Sequence, residues 1–221
     1  MKTKLFIAAM LVAAGLAGAQ MFAQMFGASS RLPAGYRECN WIGLSGAQYI
    51  DTGYKASDKT ILTVRFSTAS ANENYAIAGG RTTNTSLSYT LFALNTARNR
   101  YDLLTAQQPL GIGTNVRVAN VPATVIMQNG TNYFDGGVDC SLTVAAFNCD
   151  YNLFLGAVNT AGTASFGLSG KIYFATIADG SGLVRDLVPC LNPSNVPGMY
   201  DLVGSTFYAN AGTGSFSYEL K

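Results

Sequence analysis

Two alternating runs, residues 171–178 and 183–188, flank the cluster Asp179-Gly180-Ser181-Gly182. A period of two sends successive side chains to opposite faces of a pleated strand, and a Gly-rich cluster supplies the positive φ that a tight reversal requires. The short runs that follow, at 198–203 and 210–216, repeat the rhythm of strand and turn. A chain ending this way is confined to architectures that stack consecutive antiparallel strands.

The same pattern recurs upstream. Leu62, Val64 and Phe66 alternate with Thr63, Arg65 and Ser67, which predicts a strand with one face in a core and the other in water. Residues 75–78, 88–94, 100–104, 115–118, 124–128, 142–145 and 151–158 read as further strands. Asn129-Gly130 between 125–128 and 131–134 predicts a hairpin with positive φ at both central positions. Helical periodicity is nearly absent after the N-terminus, and no repeat of solenoid or propeller length is present. With 48% hydrophobic and only 12% charged residues, the 221-residue chain can fill the core of one all-β domain.

Residues 1–19 have the order of a helical secretory signal peptide. Met-Lys-Thr-Lys precedes an apolar core from Leu5 to Leu16, and Ala17-Gly18-Ala19 precedes Gln20, so cleavage is expected between Ala19 and Gln20. Gln20 cuts the apolar run below the roughly 20 residues that a membrane span needs. Residues 20–30, with Gln-Met-Phe-Ala repeated as Gln-Met-Phe-Gly, read as a linker, and 31–221 as the domain. The expected location is therefore outside the cytoplasm, secreted or at the cell surface, with no membrane span after signal removal. Without Lys2 and Lys4, the 14 Lys and Arg fall to 12, matching the 12 Asp and Glu. A neutral chain lacks the basic stripe that nucleic acid requires. Export also makes the four cysteines legible as two disulfides. Three pairings are possible; Cys140 with Cys149 is favoured as a short loop between neighbouring strands, which leaves Cys39 with Cys190, and free thiols packed as small hydrophobes remain the alternative.

The opening block Trp41-Ile-Gly-Leu-Ser-Gly-Ala-Gln-Tyr-Ile-Asp-Thr-Gly-Tyr54, together with the late block 171–216, resembles the concanavalin A-like, laminin-G-like modules of secreted bacterial and phage surface proteins. The resemblance implies a jelly-roll β-sandwich of two antiparallel sheets over about 31–221, usually serving adhesion or glycan binding.

Candidates for catalysis are few. The chain has no histidine, which removes Ser-His-Asp and Cys-His chemistry in their usual forms and the commonest zinc ligand. The glutamates are Glu38, Glu73 and Glu219, and the Glu-x-Asp-x-x-Glu strand motif of sandwich glucanases is missing. Asp51-Thr52-Gly53 matches the aspartic-protease tripeptide only once, and Asp and Gly are ordinary turn residues. Arg185, Asp186 and Asp201 are expected to make structural hydrogen bonds. No catalytic residue, metal or cofactor is expected, and a non-enzymatic, lectin-like role leads. Glycan recognition needs aromatic faces flanked by polar groups; Tyr75, Tyr89 and Tyr101, with Arg81 and Arg100 nearby, are the expected suppliers. A structural subunit with a protein partner, or one that self-assembles, is the alternative, and would show a large apolar patch or an open sheet edge.

Overall fold

The computed structural model describes residues 31–83, 86–106 and 108–221. The expected signal peptide, its cleavage site at Ala19 and Gln20, and the 20–30 linker lie outside the described residues. Every regular element among the described residues is a strand. No helix among them is long and apolar enough to cross a membrane.

Residues Ala34–Lys221 form one compact unit built from two sheets. Numbered in chain order, the larger sheet runs β10 (Gly137–Leu142), β9 (Gly130–Phe134), β8 (Ala123–Met127), β3 (Ile61–Thr68), β14 (Ser169–Asp179), β1 (Arg37–Ser45), β15 (Gly182–Leu191), β16 (Pro197–Asp201) and β17 (Thr206–Ala209), with β18 (Ser217–Leu220) paired to β1. The smaller sheet runs β13 (Thr163–Ser165), β12 (Val158–Thr160), β4 (Tyr75–Thr83), β5 (Ser86–Ala93), β6 (Asn99–Ala106) and β7 (Gln108–Ile112). Within it β11 (Asn148–Leu155) joins β4 to β2 (Ile50–Ser57). Pairing is antiparallel throughout, save for the short parallel ladder of β12 on β4. The result is an all-β, two-sheet jelly-roll sandwich.

The core lies where the inner faces meet. Leu62, Val64 and Phe66 of β3, Ile172, Ala175 and Ile177 of β14, and Val125 and Met127 of β8 face Ile77, Tyr89, Leu91, Tyr101 and Leu103 of the other sheet, all of them buried. Each large side chain removed from water here contributes about 1.5–3 kcal/mol. The late hairpin closes as its sequence predicts. Asp179 pairs with Gly182 across the two-residue turn Gly180-Ser181, and the Asp179 carboxylate accepts from Ser181 N at 2.7 Å.

Three local expectations change; the expected strand 142–145 keeps only Leu142, the last residue of β10. Around Asn129-Gly130 only the glycine takes positive φ, at 107°, and the β8–β9 ladder ends at Ile126–Tyr133. The reversal is therefore wider than a two-residue turn, with Gln128 N donating to Asn132 Oδ1 at 2.9 Å. Residues 115–118 are not a strand. Arg117 turns inward and donates to Leu94 O at 2.7 Å and Thr68 Oγ1 at 3.0 Å, so the segment serves as a clamp between loops and not as a ladder.

The cysteines also depart from expectation, since all four are free thiols. Cys140, on the larger sheet, faces Asn132, whereas Cys149, on the smaller one, donates to the carbonyls of Gly80 at 3.4 Å and Leu87 at 3.2 Å. A bridge needs Cβ atoms about 4 Å apart, and these two belong to different sheets with different neighbours. Cys39 and Cys190 do lie on paired strands, next to the Glu38–Cys190 register position, and are unbridged.

Candidate functional site

Strand alternation assigns the outer face of the smaller sheet. On β5, Tyr89, Leu91 and Ala93 enter the core, so Ser88, Thr90 and Phe92 project the other way. On β6, Tyr101 and Leu103 enter the core, so Arg100 and Asp102 project outward. The ladder sets Phe92 directly opposite Arg100 and Thr90 opposite Asp102. The Arg100 guanidinium accordingly stacks 4.3 Å from the centre of the Phe92 ring.

A loop completes the arrangement. Phe166, between β13 and β14, holds φ at 54° and is fastened by Ala76 N donating to its carbonyl at 2.7 Å. Its ring meets Phe92 edge to face at 5.5 Å and 90°, yet remains 51% exposed. The Arg81 guanidinium sits 5.8 Å from both rings, and its Nε donates to Thr160 Oγ1 at 2.8 Å. With Asn74 and Leu94 at the mouth, these residues enclose a cleft of about 410 Å³. The mouth is itself braced, because Asn95 N donates to Asn74 Oδ1 at 2.9 Å and Arg117 holds the Leu94 carbonyl.

The charges do not cancel. Arg100 grips Asp102 through Nε–Oδ1 and Nη2–Oδ2 contacts of 3.0 Å each. Burial pushes the Asp102 carboxyl up, and the charges of Arg100 and Arg81 pull it back down. Arg81 is 4% exposed and makes no ion pair of its own among the described residues; burial works against its charge, chiefly offset by Asp102. A guanidinium stays protonated nonetheless. Two cations and one carboxylate thus give the cleft a formal charge of +1, set against aromatic walls. Such a site can accept a carboxylate or a cluster of hydroxyls on the guanidinium edges while an apolar ring face lies on Phe166.

A second cavity of about 230 Å³ adjoins, with Phe166 in the wall of both. Its lining includes Gln48, Tyr49, Ala164, Ser165 and Thr213, and the Tyr49 ring stacks on Phe154 at 4.5 Å.

The five expected ligand residues separate into two groups. Arg81 and Arg100 come together in the cleft. Tyr89 and Tyr101 are both 0% exposed: the Tyr89 hydroxyl donates to Met127 O at 2.7 Å, and that of Tyr101 to Asp139 Oδ2 at 2.6 Å. Tyr75 is buried as well, with its hydroxyl bonded to Glu73. These three cannot offer a ring face to a ligand, because alternation aims them into the sandwich. The aromatic walls are instead Phe92 and Phe166, which sequence reasoning missed. In Leu91-Phe92 both alternation phases are apolar, so the outward one is not marked. The available signal for Phe166 was a lone aromatic in a Gly- and Ser-rich turn.

The remaining candidates are structural. Asp51 accepts from Gly53 N at 2.9 Å and Asn152 Nδ2 at 3.0 Å, while Asp201 accepts from Asp186 N at 2.9 Å and pairs with Arg185 at 3.5 Å. No cluster of three His, Cys, Asp or Glu that could hold a metal exists among the described residues.

No family model matches the chain, and no curated protein does. Solved structures do. The CBM40 of the Ruminococcus gnavus IT-sialidase, bound to α2,3-sialyllactose, superposes with a TM-score of 0.52 at 17% identity, over 64% of this chain and 89% of that one. The same module bound to α2,6-sialyllactose gives 0.52 at 17%, over 64% and 90%. A candidate carbohydrate-binding protein of Bacteroides ovatus gives 0.57 at 13%, over 83% of this chain and 60% of that one. At these identities the likeness is one of fold, and it is the sandwich that the opening and late blocks implied.

Proposed function

We propose that this domain is an exported, non-enzymatic glycan-binding module whose cleft takes a sugar bearing a carboxylate. The observation that carries the reading is the cleft itself: Arg81 and Arg100 packed against Phe92 and Phe166, with one carboxylate for two guanidiniums. Guanidinium forks match carboxylate geometry and aromatic faces suit the apolar side of a pyranose ring. The fold supports the reading, because its solved neighbours include a carbohydrate-binding module whose structures hold α2,3- and α2,6-sialyllactose.

A glycan array with acidic members (galacturonic acid, trigalacturonate, N-acetylneuraminic acid, sialyllactose) and neutral ones (lactose, cellotriose) tests it. Acidic glycans are expected to bind, and Arg81→Gln or Phe166→Ala to weaken them about tenfold or more, as loss of a binding hot spot does. Phe166→Ala alters an exposed ring, so its folding should be intact by circular dichroism. Equal binding by both variants and the wild type rejects the cleft.

A second reading has its own observation. Leu110 and Ile112 on β7, Val138 on β10, and Val116, Val118 and Val121 between them are 40–62% exposed. The two end strands approach each other, Gly111 of β7 standing against Cys140 and Leu142 of β10. Exposed apolar side chains beside unpaired edges favour association with a second copy. Light scattering across a concentration series should show a dimer that Val118→Lys disperses; a wild-type protein monomeric at all concentrations removes this reading.

A further inference from the structure

Phe166 stands between two cavities, and only one of them contains the arginines. The second shares Phe166 as a wall and is lined by side chains that stop short, among them Ala164, Ser165 and Thr213. It is not a closed packing defect. Ala164 and Ser165 are half-buried and Thr213 and Phe166 are exposed, so the space reaches solvent beside Phe166. Its inner wall is furnished for a polar ring. Tyr49 is held flat against Phe154, and the buried Gln48 amide is fixed by Ser45, whose backbone N donates to Gln48 Oε1 at 2.8 Å. Thr213 is pinned in turn by its N–H to Ala47 O at 3.1 Å. At about 230 Å³ the cavity falls short of the roughly 300 Å³ at which independent ligand pockets begin, so it fits as an annex to its neighbour.

We infer that the Tyr49 cavity is a second sugar subsite, and that the ligand is an oligosaccharide: an acidic residue lies over Arg81 and Arg100, the chain crosses Phe166, and the adjoining residue settles beside Tyr49, Ser165 and Thr213. This rests on the glycan reading of the arginine cleft and adds a length requirement to it. The subsite holds no charged lining residue, so it takes a neutral face of the sugar through stacking and hydroxyl bonds. Strain at Phe166 agrees with a placed residue: an aromatic at φ 54° is held in a region that non-glycine residues rarely occupy, and such outliers gather at ligand clamps.

Isothermal titration of the whole protein with galacturonic acid against trigalacturonate, and with N-acetylneuraminic acid against sialyllactose, tests the subsite. In the wild type, the oligosaccharide of whichever pair binds should be at least tenfold tighter than its monosaccharide. Ala164→Trp and, separately, Thr213→Trp fill the cavity from accessible positions. Each should reduce the oligosaccharide to the affinity of the monosaccharide and leave the monosaccharide unchanged. Equal wild-type affinity for short and long ligands, or a length advantage that survives both fillings, overturns the subsite while the arginine cleft stands. No binding of any of the four overturns the glycan reading and the subsite with it.

Discussion

Asp139→Ala will lower the stability of the sandwich by about 2–4 kcal/mol, the range expected when one fully buried donor and two part-buried ones lose their acceptor. Asp139 is 1% exposed and accepts from the Tyr101 hydroxyl at 2.6 Å, Asn115 N at 2.8 Å and Asn115 Nδ2 at 2.9 Å. The fit is close: a Cβ on Gly113 would stand 2.0 Å from Asp139 Oδ2. Truncation leaves the buried Tyr101 hydroxyl without its acceptor and takes two bonds from the half-exposed Asn115, whose Nδ2 keeps only the Val138 carbonyl at 3.2 Å. The effect should extend to the cleft. Asn115 anchors the segment that carries Arg117, and Arg117 holds the Leu94 carbonyl at the mouth. Urea denaturation gives the measurement. Tyr101→Phe is the control, since it removes one hydroxyl and leaves Asp139 its two Asn115 donors; its cost should be about 1–2 kcal/mol. An Asp139→Ala protein within 1 kcal/mol of wild type would mean that the network is replaced by solvent at little cost.

Much of this architecture is visible in the sequence because it depends on nearest-neighbour chemistry. Alternation at Leu62, Val64 and Phe66 marks β3, and Asp179-Gly-Ser-Gly marks the β14–β15 turn, since both signals lie within a few residues of the structure they produce. The site is less visible for the opposite reason. Phe92 and Arg100 meet only through the β5–β6 register, and Phe166 arrives from a loop more than sixty residues later in the chain. Tyrosine misleads in the same way. Its ring suits either a core or a binding face, and Tyr89 and Tyr101 are fixed inward by carbonyl and carboxylate partners supplied from the opposite sheet. Arg81 and Arg100 are marked only by their nearness in sequence to those tyrosines, and alternation sets Arg100 on the face opposite its neighbour Tyr101. Residues 115–118 show the limit of pattern alone: Val116 and Val118 alternate with Arg117 like a strand, but the buried guanidinium finds its partners on loop carbonyls.

Alkali should destabilise the protein from about pH 9, through thiols that the fold holds protonated. Burial pushes the Cys149 thiol from 9.0 to about 12, with the nearby Asp150 charge adding to it and the Tyr89 backbone bond opposing it. Burial likewise pushes Cys190 to about 12, helped by the charge that Cys39 would bear. The folded state therefore keeps its protons where the unfolded chain gives them up. Stability from these thiols is fully present below about pH 9 and is lost as pH rises toward about 12. By about pH 10.5 the loss is roughly 2 kcal/mol for each thiol, a large part of the ~5–15 kcal/mol that holds a typical domain together. Urea midpoints measured from pH 8 to pH 11 should fall steeply beyond pH 9. Burial and the Asp139 charge push Cys140 to about 11, so it loses nearly as much. Cys149→Ser, which keeps a donor for the Gly80 and Leu87 carbonyls but does not ionise in this range, should recover about a third of the loss from the three thiols. The same titration reports on the neighbouring strands: oxidation of Cys39 with Cys190 removes Cys190 from the balance, and the wild type would then follow the shallower course that Cys149 and Cys140 set. A midpoint that stays level to pH 10.5 would show that none of these thiols is as shielded as its burial implies.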